Sequence, residues 1–254
     1  MSDKVKSRLM IAGAAFCAAL FLFSGAMLAR EYLDQKQSAE AFDEVAGLVK
    51  EDVELPALEL ADDPAQEPEE LTAFEKYADV YAKNSDLVGW ISIPGTRIDY
   101  PVMQTKDNPN FYLKHAFDKS YSSYGVPYMQ ENCDIGISDN LVLYGHHMKD
   151  RTMFASIDGY KEQWYYDAHP CLYVYTNAGT YRVDLFAGLI VPGEHEVFNT
   201  SFQTVDLERF ISQSTFYAGR GIPTGRIVGL CTCSYEADNY RYVVLGEMTL
   251  IAEG

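Results

Sequence analysis

The chain has 254 residues, a net charge of −17, and 19 tyrosines beside 13 phenylalanines. That length holds one sizeable core with accessories, and the aromatic content favours strands over a helical bundle. The acidity excludes nucleic acid as a partner, because phosphate binding needs clustered Lys and Arg.

The charge is uneven along the chain. Residues 1–30 carry Lys4, Lys6, Arg8 and Arg30 against Asp3, a net +3. Residues 31–70 carry 14 acids against Lys36 and Lys50, a net −12, which leaves −8 for the remainder. Leu9 to Ala29 is an uncharged run of 21 residues, long enough to span a hydrocarbon core of about 30 Å. Basic residues precede it and acidic ones follow, so the positive-inside rule places residues 1–8 in the cytoplasm and the rest outside. A cleaved signal peptide is the alternative, with Ser24-Gly25-Ala26 as its small-residue site. Phe16 before Cys17 excludes a lipobox.

Residues 30–70 read as an acidic juxtamembrane spacer. Its first half can form a helix; its second half, with Pro56, Pro64, Pro68 and many acids, is extended and self-repelling. The folded domain is expected over 71–254. It opens with a helix in which Phe74, Tyr77, Val80 and Tyr81 recur at helical spacing. Two short strands then flank Pro94-Gly95, and further strands are expected in GVPYMQ and DNLVLYGHH. MFASIDGYKEQWYYDAH is helical or irregular. CLYVYTNAGTYRVDLFAGLIV is a hairpin turning at Asn177-Ala178-Gly179. TVDLERFISQSTFYAG is an amphipathic helix, and GRIVGLCT and YRYVVLGEMTL close the chain as strands. About eight strands with intervening helices predict a mainly β fold, a closed mixed barrel rather than a layered α/β sheet.

Five cysteines are too few for a disulfide scaffold, and CxxC does not occur. The chemistry concentrates in three places: the strand ending in Tyr144-Gly145-His146-His147, the Cys231-Thr232-Cys233 strand end, and Arg241 on the return strand. A thiolate is a nucleophile favoured by a nearby cation. Histidine can give a proton to a leaving amine, and arginine can donate to an oxyanion. Cys, His and Arg thus form a complete set for thiol acyl transfer. Each has a plainer reading. Cys233 is a small buried hydrophobe, the two histidines form a polar loop, and Arg241 pairs with Glu236 or Asp238 across the turn. Zinc is another use of two His and two Cys, but Cys-x-Cys followed by a strand lacks the usual knuckle spacing.

Together, YGHHM, LCTC and the arginine of NYRYVV resemble the sortases, specifically class B. The family motif reads TLxTC followed by a strand with arginine. Leu230, Thr232 and Cys233 match it, Gly229 stands where threonine is usual, and Cys231 fills the variable position. The likeness spans roughly 71–252, including IDYPVMQTKDNPNFYLKHAF and Thr152-Met153-Phe154 after the histidine. His146 preceding Cys233 also differs from papain-like enzymes, where the cysteine comes first.

This resemblance implies an eight-stranded β-barrel with N-terminal helices and a helix in the insertion before the nucleophile strand, fitting Pro192–Gly225. It implies a cysteine transpeptidase of Gram-positive cell surfaces. Cys233 would attack the carbonyl of a threonine in a C-terminal sorting signal, His146 would move the protons, and Arg241 would steady the oxyanion. Matching YGH assigns the role to His146 rather than His147. Substrate contacts would fall on Tyr144, Asn108, Cys231, Thr232 and Phe198. The implied partners are secreted proteins with a sorting signal, an amine of a peptidoglycan precursor or pilin, and the cytoplasmic membrane. Neither metal nor cofactor is expected. Cys231 shares strand parity with Cys233, so it either modulates the nucleophile by oxidation or merely replaces a serine. Two rival functions stay open: an extracellular binding domain that has lost catalysis, suggested by Gly229, and a thiol protease using water as acceptor.

Overall fold

The computed structural model describes residues 3–50 and 72–253. The proline-rich half of the expected spacer therefore lies outside the described residues. The chain divides into two compact units, Met1–Glu40 and Ala41–Gly254.

Helix α1, Asp3–Ala46, is continuous over 44 residues. It contains the whole apolar run and is long and apolar enough to cross a membrane. Phe21, Leu22 and Phe23 are 79%, 71% and 66% exposed. Three consecutive residues point to three sides of a helix, so no single face carries the apolar groups. The last turns of α1 belong with the second unit. The Phe42 ring meets Tyr100 edge-on at 5.1 Å, and Val45 is buried. Residues 41–50, expected as spacer, thus pack with the domain, because Phe42 and Val45 fall on one helical face.

Helix α2, Ala73–Lys83, opens on a capping box. Thr72 Oγ1 accepts from the Glu75 N–H and the Glu75 carboxylate accepts from the Thr72 N–H, satisfying two helix-end donors. Val80 is fully buried, and Tyr77 stacks on Trp90 at 5.2 Å. Tyr81, expected on the same face, is 51% exposed.

The strands are β1 Leu87–Ser92, β2 Asp99–Met103, β3 Tyr128–Met129, β4 Asn140–Tyr144, β5 Cys171–Thr176, β6 Gly179–Pro192, β7 Ile227–Cys233 and β8 Tyr240–Glu253. They close into one barrel in the order β1-β2-β3-β4-β7-β8-β6-β5, with β5 pairing back onto β1. The pairs β2·β3 and β4·β7 are parallel and the others antiparallel. The β5–β6 hairpin pairs Thr176 with Gly179, leaving Asn177 and Ala178 as its turn. Between β4 and β5, Phe154–Lys161 is a 3-10 stretch and Gln163–Ala168 is helix α3. Helix α4, Thr204–Ser212, lies in the insertion before β7 and is shorter than the amphipathic stretch suggests.

Strand β7 is buried along nearly its whole length because both of its faces are covered. Val228 and Leu230 point into the barrel with Val183, Leu185, Tyr242 and Val244. Ile227 and Cys231 point outward, onto a second core with Val243, Leu245, Val197, and Leu207 and Phe210 of α4. Burial of Leu207 and Phe210 stabilises the docked α4 by about 2 kcal/mol each. This cover stops short of the strand end, where Cys233 is partly exposed.

Candidate active site

Cys233 ends β7, and Arg241, near the start of β8, lies directly opposite it. Directly opposed residues share a face with Cβ atoms about 5 Å apart. The other edge of β7 pairs with β4, Tyr144 standing level with Cys231. The Gly145 N–H extends that ladder to the Cys231 carbonyl at 3.0 Å. Thr232 Oγ1 donates to the Gly145 carbonyl at 2.8 Å. Carried on by the same register, His146 falls level with Cys233. The paired ends of β7 and β8 and the segment leaving β4 therefore place Cys233, Arg241 and His146 at one end of the barrel.

Packing dictates the glycine between Tyr144 and His146. A Cβ at Gly145 would stand 2.4 Å from the ring of Phe154, which is fully buried. The Phe154 N–H in turn donates to the His146 carbonyl at 3.0 Å. The chain reaches this position through Met153, whose φ of 54° is left-handed. Thr152-Met153-Phe154 thus returns onto the histidine and fixes its backbone. The His146 ring is fixed separately: Nε2 lies 2.7 Å from the Leu113 carbonyl. A carbonyl only accepts, so Nε2 carries the hydrogen and Nδ1 is left for proton transfer.

An aromatic wall stands beside this group. The Tyr128 and Tyr144 rings lie 5.5 Å apart, and Tyr144 and Phe198 lie 6.1 Å apart. Tyr144 OH donates to Gln130 Oε1 at 2.5 Å, and Gln130 Nε2 donates to the Phe198 carbonyl at 3.1 Å. Tyr128 OH donates to Asn110 Oδ1 at 2.8 Å. Burial pushes both phenols above their ordinary range, so they remain protonated donors.

Arg241 has no ion pair among the described residues. Its Nη1 donates to the Tyr240 carbonyl at 3.0 Å. Glu236, one of the acids expected to pair with it, instead meets Lys161 Nζ at 2.5 Å. The guanidinium therefore keeps donors in hand beside the thiol. Among the described residues no three His, Cys, Asp or Glu side chains converge to hold a metal ion.

Two expected substrate contacts have no surface to offer. Cys231 is 0% exposed and Thr232 is 2% exposed. Cys231 does face the same side as Cys233, but the α4 cluster covers it. Burial, the largest influence, pushes its thiol well up, against a smaller opposing pull from Arg241. A buried, protonated thiol resists oxidation. Thr232 serves instead to lock β7 to the His146 segment. Asn108 is exposed, and its carbonyl accepts from Thr105 Oγ1 at 2.8 Å and the Phe111 N–H at 3.2 Å. It thereby opens the turn that delivers Leu113 to the histidine. Sequence reasoning missed Leu113, which acts through a backbone carbonyl and leaves no side-chain signature. It also missed Gln130 and Tyr128, which only the wall explains.

Comparison with known proteins bears on the fold and the family. The Sortase domain family matches residues 91–249. Sortase B of Listeria monocytogenes serovar 1/2a is 29% identical over 238 residues, covering 90% of this chain and 92% of that protein. The structure of a Staphylococcus aureus sortase B–substrate complex superposes with a TM-score of 0.63 at 26% identity, over 69% of this chain and 85% of that one. Sortase B from B. anthracis in complex with AAEK1 shares the fold, with a TM-score of 0.70 at 23% identity over 87% of this chain and 100% of that one. With its closed eight-stranded barrel and these relatives, the chain belongs to the sortase family, in its class B branch.

Proposed function

We propose that this chain is a membrane-anchored transpeptidase that cleaves a C-terminal sorting signal after threonine and joins the carrier protein to an amine. The observation that carries this reading is the strand register, which sets Arg241 opposite Cys233 and runs the Gly145-His146 segment beyond β4 alongside the end of β7. The Cys233 thiolate adds to the threonine carbonyl carbon, and the negative charge moves to the carbonyl oxygen. Arg241 donates to that oxyanion. The intermediate collapses as the C–N bond breaks, and protonated His146 gives its Nδ1 proton to the departing amine. A thioester remains on Cys233. An incoming amine from a peptidoglycan precursor or pilin attacks it, gives a proton to His146, and expels the thiolate as a new amide forms.

The aromatic wall of Tyr128, Tyr144 and Phe198 suits an extended peptide bound beside the thiol. The apolar run of α1 supports a single-pass anchor. On this reading the N-terminus is cytoplasmic and the barrel meets secreted proteins outside. Gly229 does not weaken the enzymatic reading: it lies four residues from Cys233, about 13 Å along the strand.

Intact mass spectrometry of the full chain in detergent, incubated with sorting-signal peptides of LPxTG-like and NPxTx-like sequence, tests the proposal. A thioester adduct that requires Cys233 and His146, and that an added amine releases as an amide, is the expected result. An adduct released equally well by water identifies a protease instead. Absence of both adduct and cleavage across the panel leaves a binding domain.

A further inference from the structure

The turn between the thiol and the guanidinium, Ser234–Asn239, is solvent-facing over most of its length; Tyr235 is 74% exposed. Such a turn needs external support to keep its two ends in register. On one side the Gly193 N–H donates to the Asn239 carbonyl at 2.8 Å. The other side is held by Lys161, at the end of the 3-10 stretch Phe154–Lys161. Its Nζ lies 2.5 Å from Glu236 Oε1 in the turn and 2.5 Å from Asp158 Oδ1 one turn back. The same Nζ sits 5.2 Å from the ring centroid of Tyr242, next to Arg241. The Lys161 side chain is only 22% exposed, so its contacts are partly desolvated. His147 closes the circle: its ring meets Tyr235 edge-on at 5.1 Å, and its Nε2 lies 3.9 Å from Asp158 Oδ2.

We propose that Lys161 is a positioning residue: by bridging Asp158 and Glu236 it holds the β7–β8 turn, and so keeps Cys233, Arg241 and the His146 segment in register. The 3-10 stretch that carries Lys161 begins at Phe154, whose N–H holds the His146 carbonyl. One rigid stretch therefore grips the histidine side at its start and the thiol–guanidinium hairpin at its end. This inference rests on the transpeptidase reading, because the register it protects is that of the three reacting groups. Lys161 touches none of the reacting atoms. It acts through the turn, and a displacement of about 1 Å at such a site can cost a hundredfold in rate.

The test combines K161M, K161R and E236Q in the full chain. In K161M, single-turnover thioester formation should fall about tenfold or more while half-saturation by peptide moves less than about twofold. K161R should recover to within about threefold, since it restores the cation. Amide exchange in residues 234–239 should quicken about tenfold in K161M and E236Q and stay at the wild-type rate in K161R. E236Q alters only an exposed turn residue, so it keeps the test decisive should K161M fold poorly. Unchanged exchange in both variants, normal turnover in K161M, or an arginine variant as impaired as methionine would overturn the inference. If the wild type forms no adduct with any peptide, the transpeptidase reading falls, and the exchange arm still decides whether Lys161 holds the turn.

Discussion

Gly229 departs from the family threonine, and its surroundings say what a side chain there would do. Asn140 is fully buried in β4. Its Nδ2 donates to the Val197 carbonyl at 3.1 Å and the Asn199 carbonyl at 2.7 Å, which fixes the orientation of the amide. Its Oδ1 has no hydrogen-bond partner among the described residues. A Cβ at Gly229 would lie 3.8 Å from that oxygen, 3.7 Å from Val243 Cγ1 and 3.2 Å from Leu245 Cδ2. A hydroxyl carried on that Cβ comes within about 3 Å of Oδ1, a good O–H···O distance. Satisfying the acceptor is worth about 1 kcal/mol, and leaving glycine in a strand adds about 0.5 kcal/mol. The Leu245 methyl must yield by a few tenths of an ångström. Gly229→Ser is therefore expected to stabilise the barrel by about 1 kcal/mol, a rise of about 2–4 °C in Tm. Gly229→Ala gains the chain-entropy part alone, so the difference between the two variants isolates the hydrogen bond. Thermal unfolding of the three proteins side by side measures it. Serine no better than alanine, or less stable than glycine, would show that Asn140 Oδ1 gains no useful partner there.

Gly145→Ala is expected to cost about 1–3 kcal/mol through collision with the Phe154 ring, and to slow thioester formation disproportionately because His146 moves with it. A variant with wild-type turnover at temperatures below its Tm would show that the ring simply steps aside. Cys231, buried with its thiol pushed up, should stay unmodified while Cys233 reacts with iodoacetamide in the folded protein at pH 8; peptide mapping that finds Cys231 labelled at a similar rate would contradict its burial. Peroxide sensitivity should likewise be unchanged in Cys231→Ser. The Lys161 hydrogen bond holds the Glu236 carboxyl below its ordinary value. That contribution is present at neutral pH and is lost as pH falls from about 4.5 through the lowered folded value. Glu236→Gln should accordingly lower Tm at pH 7, with the deficit shrinking as pH falls below about 4.5; a deficit that stays constant with falling pH would assign the effect to packing.

Features that local pattern controls are legible along the chain. The uncharged run of α1 is legible as a helix long and apolar enough to cross a membrane, because that needs only length and apolarity. Alternation and turn residues mark the hairpin that sets Arg241 opposite Cys233, since eight residues of one chain must fold back on themselves. The shared parity of Cys231 and Cys233 follows from the strand period. The T-x-x-E capping box at Thr72 is equally local, its partners lying three residues apart. The remainder depends on packing between separate segments. The parallel pairing of β4 and β7 brings the Gly145-His146 segment level with the end of β7, joining segments about 87 residues apart, and no local period encodes that register. The Leu113 carbonyl and the Lys161 bridge to Glu236 are likewise long-range. Cys231 and Cys233 have the same chemistry and the same facing, yet one is core and the other is available to react. The difference lies in where α4 and the Glu196–Phe198 turn end their cover of the outer face, and burial is a property of what packs against a residue rather than of the residue itself.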